Sequence, residues 1–558
     1  MNKELYIDLM NIVLDAYSHE QIKLYIEDVI ENSITEHGFP RLTANLGILI
    51  AHGRKTEMTS LFVEMMNLCC REILFCREKN GYTTGNDFSV KEIVFCVLEV
   101  EKANILPKDV TDNWRNMLSI IEPSKVYSEI SPVPPKRVNN WAAFGACSEQ
   151  IRKFAKIGDE SAFIENQIKS QLFSFDENGM YRDPNEPMVY DMVTRLQLAV
   201  ALYFGYDGES REELEDNLMK SADITLKMQS VTGEIPYGGR SNQFLHNETF
   251  YAALCEFYAS QFRKKGDLNK AGCFKKAARV AAQSIIPWLN DEKKTHIKNY
   301  YATDSLYGCE DYAYYKKYMV TTASWLYLAY AMSEDIEESE EIQNNYICET
   351  TEYFHKVFIK HGDYFAEFDT QADEHYDATG LGRIHKKGVP SALCLSVPFS
   401  HHPNYIIHSE NDGPLCICGG IKTDDGYIYS WDSSVTYKLI DKTISEKCVS
   451  AEFACVINNQ TLFIEKYNIS DNGIEIKLEG KGKLEISLPV FCFDGRDYTE
   501  IECEENYVIV KYKGYICKYA SEKGNFKNTG RIYENRNGEY MAFKLSGKDD
   551  ICLNIFLV

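Results

Sequence analysis

The segment from Tyr237 to Glu248 carries the densest group of chemically capable side chains, just before an apolar helical run. Its Gly238-Gly239 pair allows a tight backbone turn. A guanidinium suits a carboxylate, asparagine amides donate to carboxylate or hydroxyl oxygens, and an imidazole moves protons near neutral pH. The candidates are Arg240, Asn242, His246, Asn247 and Glu248. A plain helix N-cap would use Asn and Glu but needs neither Arg nor His, so we expect a site for a sugar acid.

A second candidate segment is the tyrosine-rich stretch 300–318. Tyr307 and Glu310 lie at a turn before an apolar helix, where a phenol or a carboxyl group could transfer a proton. Tyr314 could contact a sugar ring. The alternative is a helix face buried in the core, which would explain several of these tyrosines without any chemistry.

Two further segments open helices after loops. Tyr190, Asp191 and Arg195 follow a proline-rich turn, and Asp191 with Arg195 is either a surface ion pair or part of a cleft. Asn140 and Trp141 begin a helix after the segment 123–135, where capping and substrate contact are the two interpretations. Together these segments predict one cleft built from loop-to-helix junctions.

The pattern of apolar residues divides the chain into a helical part and a strand-rich part. Apolar residues recur at three- and four-residue spacing until about residue 361, and alternating or β-branched runs dominate after it. We therefore expect an α+β protein, with an (α/α) toroid, incomplete or of six helix pairs, followed by an antiparallel β-sandwich. The expected divisions are a first helical block, a proline-rich connection, the remaining toroid helices with the cleft, and the sandwich, at 1–122, 123–138, 139–361 and 362–558.

Composition narrows the classes of partner. A net charge of −23 argues against nucleic acid and anionic membranes. The first residues do not form a signal peptide and no apolar run reaches a membrane span, so we expect a cytoplasmic protein with reduced cysteines. Histidines are concentrated between residues 375 and 408, but without metal-ligand spacing, so no metal is predicted. The sequence has no GxGxxG after a strand and no P-loop pattern, so no other cofactor is predicted. A homo-oligomer is possible.

Taken together, the segments resemble two groups of carbohydrate-active enzymes with a toroid and a sandwich. The segments at Asn140-Trp141, His246-Asn247-Glu248 and Tyr307 to Glu310 are similar to heparinase II/III-like and oligoalginate lyases. The segments at Tyr190 to Arg195 and at Gly238 to Phe244 are similar to a family of gut-bacterial exo-β-glucuronidases. Both resemblances imply a substrate containing uronic acid, either an oligosaccharide or a glucuronide.

The two resemblances imply different chemistry. A hydrolase needs two carboxyl groups, for which Asp191, Glu248 and Glu310 are the candidates. A lyase would use His246 and Tyr307 for proton transfer, with Arg240 and Asn247 on the carboxylate. In such lyases the order is Asn-His, and here it is reversed as His246-Asn247.

This departure, with the expected cytoplasmic location, favours an exo-acting β-glucuronidase-like glycoside hydrolase over a lyase that acts by β-elimination. A third hypothesis is a glycan-binding protein without activity.

Overall fold

The structure is a computed structural model that describes residues 3–80, 85–340 and 344–558, excepting the side chains of 75–80. Residues up to Met332 are mainly helical. The α-helices of the described chain are α1 Glu4–Leu14, α2 His19–Asn32, α3 Gly38–Ala51, α4 Thr59–Asn80, α5 Asn86–Ala103, α6 Lys108–Ser119, α7 Pro123–Val126, α8 Trp141–Phe154, α9 Ser161–Leu172, α10 Met188–Tyr203, α11 Arg211–Lys220, α12 Ala222–Lys227, α13 Leu245–Lys264, α14 Leu268–Ser284, α15 Ile286–Leu289 and α16 Tyr315–Met332.

Six of these helices form a closed inner ring. Helix α3 packs on α5, α5 on α8, α8 on α10, α10 on α13, α13 on α16, and α16 returns to α3. Outer helices pair with the inner ones, as α9 does with α8, α14 with α13 and α1 with α16. The expected (α/α) toroid is confirmed, and its inner ring is complete with six helices.

Burial separates the two layers of the ring. Helix α13 is buried along nearly its whole length, because it has neighbours on every side. Outer helix α2 buries only Ile22, Ile26 and Val29, one face at three- and four-residue spacing. Its start is fixed by Ser18, whose hydroxyl accepts a bond from the Gln21 backbone N–H while the Gln21 side chain bonds back.

The strands follow the helices, and all of their pairings in the described chain are antiparallel. They are β1 Tyr346–Glu349, β2 Lys356–His361, β3 Tyr364–Asp369, β4 Gly380–Lys386, β5 Cys418–Lys422, β6 Tyr427–Tyr429, β7 Thr436–Ile444, β8 Cys448–Ile457, β9 Gln460–Ser470, β10 Gly473–Phe493, β11 Glu500–Cys503, β12 Tyr507–Tyr512, β13 Tyr515–Lys523, β14 Asn525–Asn535 and β15 Gly538–Leu557.

Within the described residues these strands form two sheets that share one core. Strands β1 to β4 form a four-stranded sheet in chain order. The larger sheet runs β11-β12-β13-β15-β10-β9-β8-β7, with β14 on β15, β5 on β10 and β6 on β5. Phe368 of the small sheet stacks on Phe453 of the large one, with ring centroids 4.6 Å apart. The predicted antiparallel sandwich is confirmed, and its first strand begins at Tyr346, ahead of the expected boundary at 362.

No described helix combines the length and apolar character that a bilayer crossing requires.

Candidate active site

A cavity of about 630 Å³ opens where the inner helices begin. Residues at or next to the N-terminus of every inner helix line it. They are His37 at α3, Gly85 at α5, Asn140 and Trp141 at α8, Val189 and Tyr190 at α10, His246 at α13, and Lys317 and Tyr318 at α16. The inner helices therefore direct the positive ends of their dipoles at one space, which favours a negatively charged ligand.

The loop before α13 is held in an unusual backbone conformation. Gly238 and Gly239 have φ values of 139° and 73°, and Ser241 has a φ of 60°. A Cβ on Gly239 would lie 2.9 Å from Cα of Pro187, so glycine is required there. The turn brings Arg240 over the ring of Tyr190, with the guanidinium carbon 4.3 Å from the ring centroid.

Arg240 is oriented by a buried carboxylate. Its guanidinium donates to Asp183 and, at 2.9 Å, to the carbonyl of Pro184. Asn140 Nδ2 donates to the other oxygen of Asp183 at 2.9 Å. Asn139 rather than Asn140 caps α8, since its Oδ1 accepts the backbone N–H of Trp141 at 2.9 Å. Asn140 and Arg240 are thus fixed to one anchor at the cavity wall.

Three phenols gather around the hydroxyl of Ser241. Its Oγ lies 3.2 Å from the Tyr190 hydroxyl and 2.9 Å from the Tyr312 hydroxyl. Burial raises the pKa of Tyr318 well above its ordinary value, and the neighbouring Ser241 hydroxyl offsets this only partly. Tyr318 is therefore protonated at neutral pH.

His246 lies against this group. Its ring is 5.1 Å from the ring of Tyr318, edge to face, and 5.5 Å from the ring of Phe244, stacked. Burial, and then the charge of Arg41, lower the pKa of His246 well below its ordinary value. Its Nδ1 is buried without a hydrogen-bond partner in the described chain. His246 is therefore a neutral imidazole at neutral pH.

The β-sandwich holds the loop of Ser241 in place. Arg536 donates to Glu310 at 2.6 and 3.2 Å, and Glu310 accepts the backbone N–H of Ser241 at 2.6 Å. Asp377 accepts the backbone N–H of Gly239 at 2.9 Å. Glu310 is buried in this contact and does not line the cavity.

The other two candidate carboxylates are also buried in ion pairs. Asp191 accepts from Arg195 Nε at 2.8 Å and Nη2 at 2.6 Å, and both side chains are fully buried. Glu248 lies 2.6 Å from Nζ of Lys298, which also binds Glu234 at 3.1 Å. Asp191, Arg195 and Glu248 are absent from the cavity wall.

The remaining predicted residues lie outside the cavity wall. Tyr307 stacks on Tyr301 with centroids 3.6 Å apart, and its hydroxyl donates to a backbone carbonyl of the sandwich. The Nδ2 groups of Asn242 and Asn247 donate to backbone carbonyls at 3.0 Å. Tyr314 precedes α16 and packs on Lys317. Of the predicted residues, the structure brings together Arg240, His246, Tyr190, Asn140 and Trp141.

The cavity also contains residues beyond the predicted site residues, although Tyr312, Lys317 and Tyr318 belong to the tyrosine-rich stretch 300–318. His37 and Arg41 come from α3, which had no recognisable motif, and Tyr312, Lys317 and Tyr318 lie around the start of α16. Their common signal is position at the first turns of an apolar helix. Among the described residues, no group of three His, Cys, Asp or Glu side chains is arranged to hold a metal ion.

Comparisons with known proteins find similarity in solved structures alone. No family model and no curated protein matches the chain. Heparinase III aligns with a TM-score of 0.49 and 8% identity, over 94% of this chain and 77% of that one. A mutant of heparan sulfate lyase HepC from Pedobacter heparinus aligns with a TM-score of 0.47 and 9% identity, over 93% of this chain and 76% of that one. The chondroitin AC lyase of Streptomyces coelicolor A3, in complex with chondroitin sulphate, aligns with a TM-score of 0.48 and 9% identity, over 99% of this chain and 82% of that one. With these values the likenesses do not place the chain in a family.

Proposed function

We propose that the protein is a lyase that cleaves glycosides of uronic acids by β-elimination. The observation that carries this proposal is the composition of the cavity wall. Imidazole, phenol and guanidinium groups meet there, whereas Asp191, Glu248 and Glu310 are buried elsewhere in ion pairs.

A glycoside hydrolase of the usual type needs two carboxyl groups that flank the scissile bond. Among the described residues that line the cavity, Glu36 is the sole Asp or Glu. Its carboxylate accepts the backbone N–H of Gly38 at 2.6 Å. One carboxyl group cannot fill both positions of the pair, so the hydrolase hypothesis loses its chemical basis in this cavity.

The two proton-transfer roles fall to groups whose pKa values are driven in opposite directions. His246, which burial keeps neutral by lowering its pKa, is the base that removes the C5 proton. Tyr318, which burial keeps protonated by raising its pKa, is the acid that protonates the leaving oxygen. Arg240 and the helix N-termini bind the uronate carboxylate and stabilise the charge that develops on it.

The reaction balances without a co-reactant. The C5–H bond breaks and its electrons form the C4=C5 double bond, while the C4–O4 bond breaks and its electron pair leaves with O4. His246 takes one proton and Tyr318 gives one, so proton exchange with solvent restores both groups. The products are an unsaturated uronide and a free hydroxyl on the released group.

The test is ultraviolet absorbance of the conjugated product during incubation with a panel of uronate oligosaccharides. We expect absorbance to grow with the wild type, and His246→Ala and Tyr318→Phe to lower the rate by about 10²- to 10⁴-fold. Tyr498→Phe, at an exposed tyrosine of the sandwich, is the matched control and should keep the wild-type rate. Full activity of Tyr318→Phe would remove the phenol from the mechanism.

A further inference from the structure

The cavity changes from polar to apolar with depth. His246, Tyr190 and Tyr318 lie in the first turn of their helices, near exposed Tyr312 at the mouth. The next turns of the same ring present mainly apolar side chains to the cavity. These are Val193 of α10 and Thr321 and Trp325 of α16, and Phe144 at the end of the first turn of α8 lies beside them. Because an α-helix rises about 5.4 Å per turn, this apolar floor begins roughly 5 Å below the reactive groups.

Aromatic rings dominate the floor. Phe88 meets Trp141 edge to face, with centroids 4.8 Å apart, and meets Phe144 in the same way at 4.6 Å. Phe144 is in turn 6.4 Å from Trp325. Arg41 lies over the rings of Phe88 and Trp325, and Lys91 over those of Phe144 and Trp325. The ring edges and the uncovered ring faces can still pack on a further aromatic ring.

One polar group of the floor has no partner. Trp325 is 3% exposed, and its indole Nε1 is buried without a hydrogen-bond acceptor in the described chain. An unmatched buried N–H is costly, and an acceptor on a bound molecule would satisfy it. The floor therefore suits a flat apolar group that carries an acceptor.

Charge argues against a sulfate or a second carboxylate in the floor. Arg41 is held by Glu92 at 3.1 Å and donates to Thr321 at 2.7 Å. The cations around the floor are Arg41, Lys91 and Lys317. Glu92 faces both Arg41 at 3.1 Å and Lys91 at 3.9 Å, while Asp87 also acts on Lys91 and Glu36 acts on Lys317. Among the described residues, three carboxylates therefore balance the three cations of this wall.

We propose that the floor binds an aromatic aglycone on C1 of the uronate, so that the substrate is a 4-O-linked uronide with an aryl group at its reducing end. This inference rests on the proposed function, since it places the uronate at His246 and Tyr318. The group on O4 leaves during elimination and must return to solvent, so it lies toward the mouth. The C1 substituent then points to the buried end. A volume of about 630 Å³ is ample for a uronate and an aromatic ring together.

The probes are p-nitrophenyl, phenyl and methyl β-D-glucuronide, titrated by calorimetry. Their O4 carries only a proton, so binding is measured without release of a sugar. We expect both aryl probes to bind at least roughly ten-fold tighter than the methyl probe, because the floor removes the ring from water. Equal affinities of aryl and methyl probes would overturn the aromatic subsite and leave the uronate site standing. Failure of every probe to bind would remove the uronate site as well, and with it the proposed function.

Two variants locate the subsite. Val193→Phe fills the floor and should abolish the aryl preference while methyl glucuronide still binds. Ile444→Phe, at an exposed position on β7, is its control and should keep the preference. Trp325→Phe keeps a ring but removes the N–H. It should weaken the binding of the p-nitrophenyl probe several-fold and leave the affinity for the phenyl probe unchanged. An aryl preference that survives Val193→Phe and Trp325→Phe unchanged would place the aromatic group outside the floor.

Discussion

Replacing Asp191 by Asn tests whether its carboxylate stabilises the fold or takes part in the reaction. Asp191 Oδ1 accepts the Tyr181 backbone N–H at 2.6 Å and Arg195 Nε at 2.8 Å, and Oδ2 accepts Arg195 Nη2 at 2.6 Å. In Asp191→Asn the guanidinium stays buried and charged, and one of its donors faces an amide NH2. Breaking one side of such a buried pair costs about 3–5 kcal/mol of the free energy of unfolding.

The measurement is urea unfolding followed by circular dichroism, with the initial elimination rate recorded in parallel without urea. The variant should unfold at a clearly lower urea concentration and keep a rate near that of the wild type. Asp8→Asn is the matched control, because Asp8 pairs with Arg54 at 3.0 Å on the surface and should cost less than about 1 kcal/mol. If Asp191→Asn keeps the wild-type midpoint but loses activity more than about 100-fold, Asp191 acts in the chemistry and the hydrolase hypothesis returns.

The remaining predictions concern pH, backbone and substrate affinity. Burial lowers the pKa of His296 to about 4, so as the pH falls the unfolded chain binds this proton before the folded protein does. The free energy of unfolding should therefore fall by up to about 3 kcal/mol between pH 6.5 and pH 4. The urea midpoint of His296→Asn should depend less on pH than that of the wild type. Gly239→Ala should lower the thermal midpoint more than Gly205→Ala, since both have positive φ but only Gly239 has Pro187 within reach of a Cβ. Arg240→Gln should raise KM about ten- to hundred-fold, through loss of a charged hydrogen bond to the carboxylate, with a smaller change in kcat.

The periodicity of apolar residues predicted the bounds of single helices well, but it could not predict how distant helices pack on one another. The apolar spacing of 246–264 and 317–332 predicted α13 and α16 nearly to the residue. Closure of the ring depends on α16 packing on α3, a contact between distant parts of the chain that no local pattern contains. The sequence could therefore suggest a toroid without showing whether it was complete.

Some of the predicted site residues line the candidate cavity and their neighbours in sequence do not. Tyr190 and His246 line the cavity, whereas Asp191 and Glu248, one and two residues later, do not. Each helical residue turns by about 100°, so the next side chains point into the ring walls. There Arg195 and Lys298 neutralise them.

The contribution of α3 was missed for another reason. His37 and Arg41 stand in an ordinary apolar helix, and only the closed ring brings them to the cavity.

Isotope labelling tests the central claim most directly. Cleavage of a uronate oligosaccharide in water enriched in the heavy oxygen isotope distinguishes the two reactions, because hydrolysis adds a solvent oxygen to the product and β-elimination does not. Mass spectrometry of the products should show an unsaturated uronide, lighter by one water than the hydrolysis product, with no heavy oxygen gained on cleavage. Saturated products that carry the heavy isotope would contradict the account.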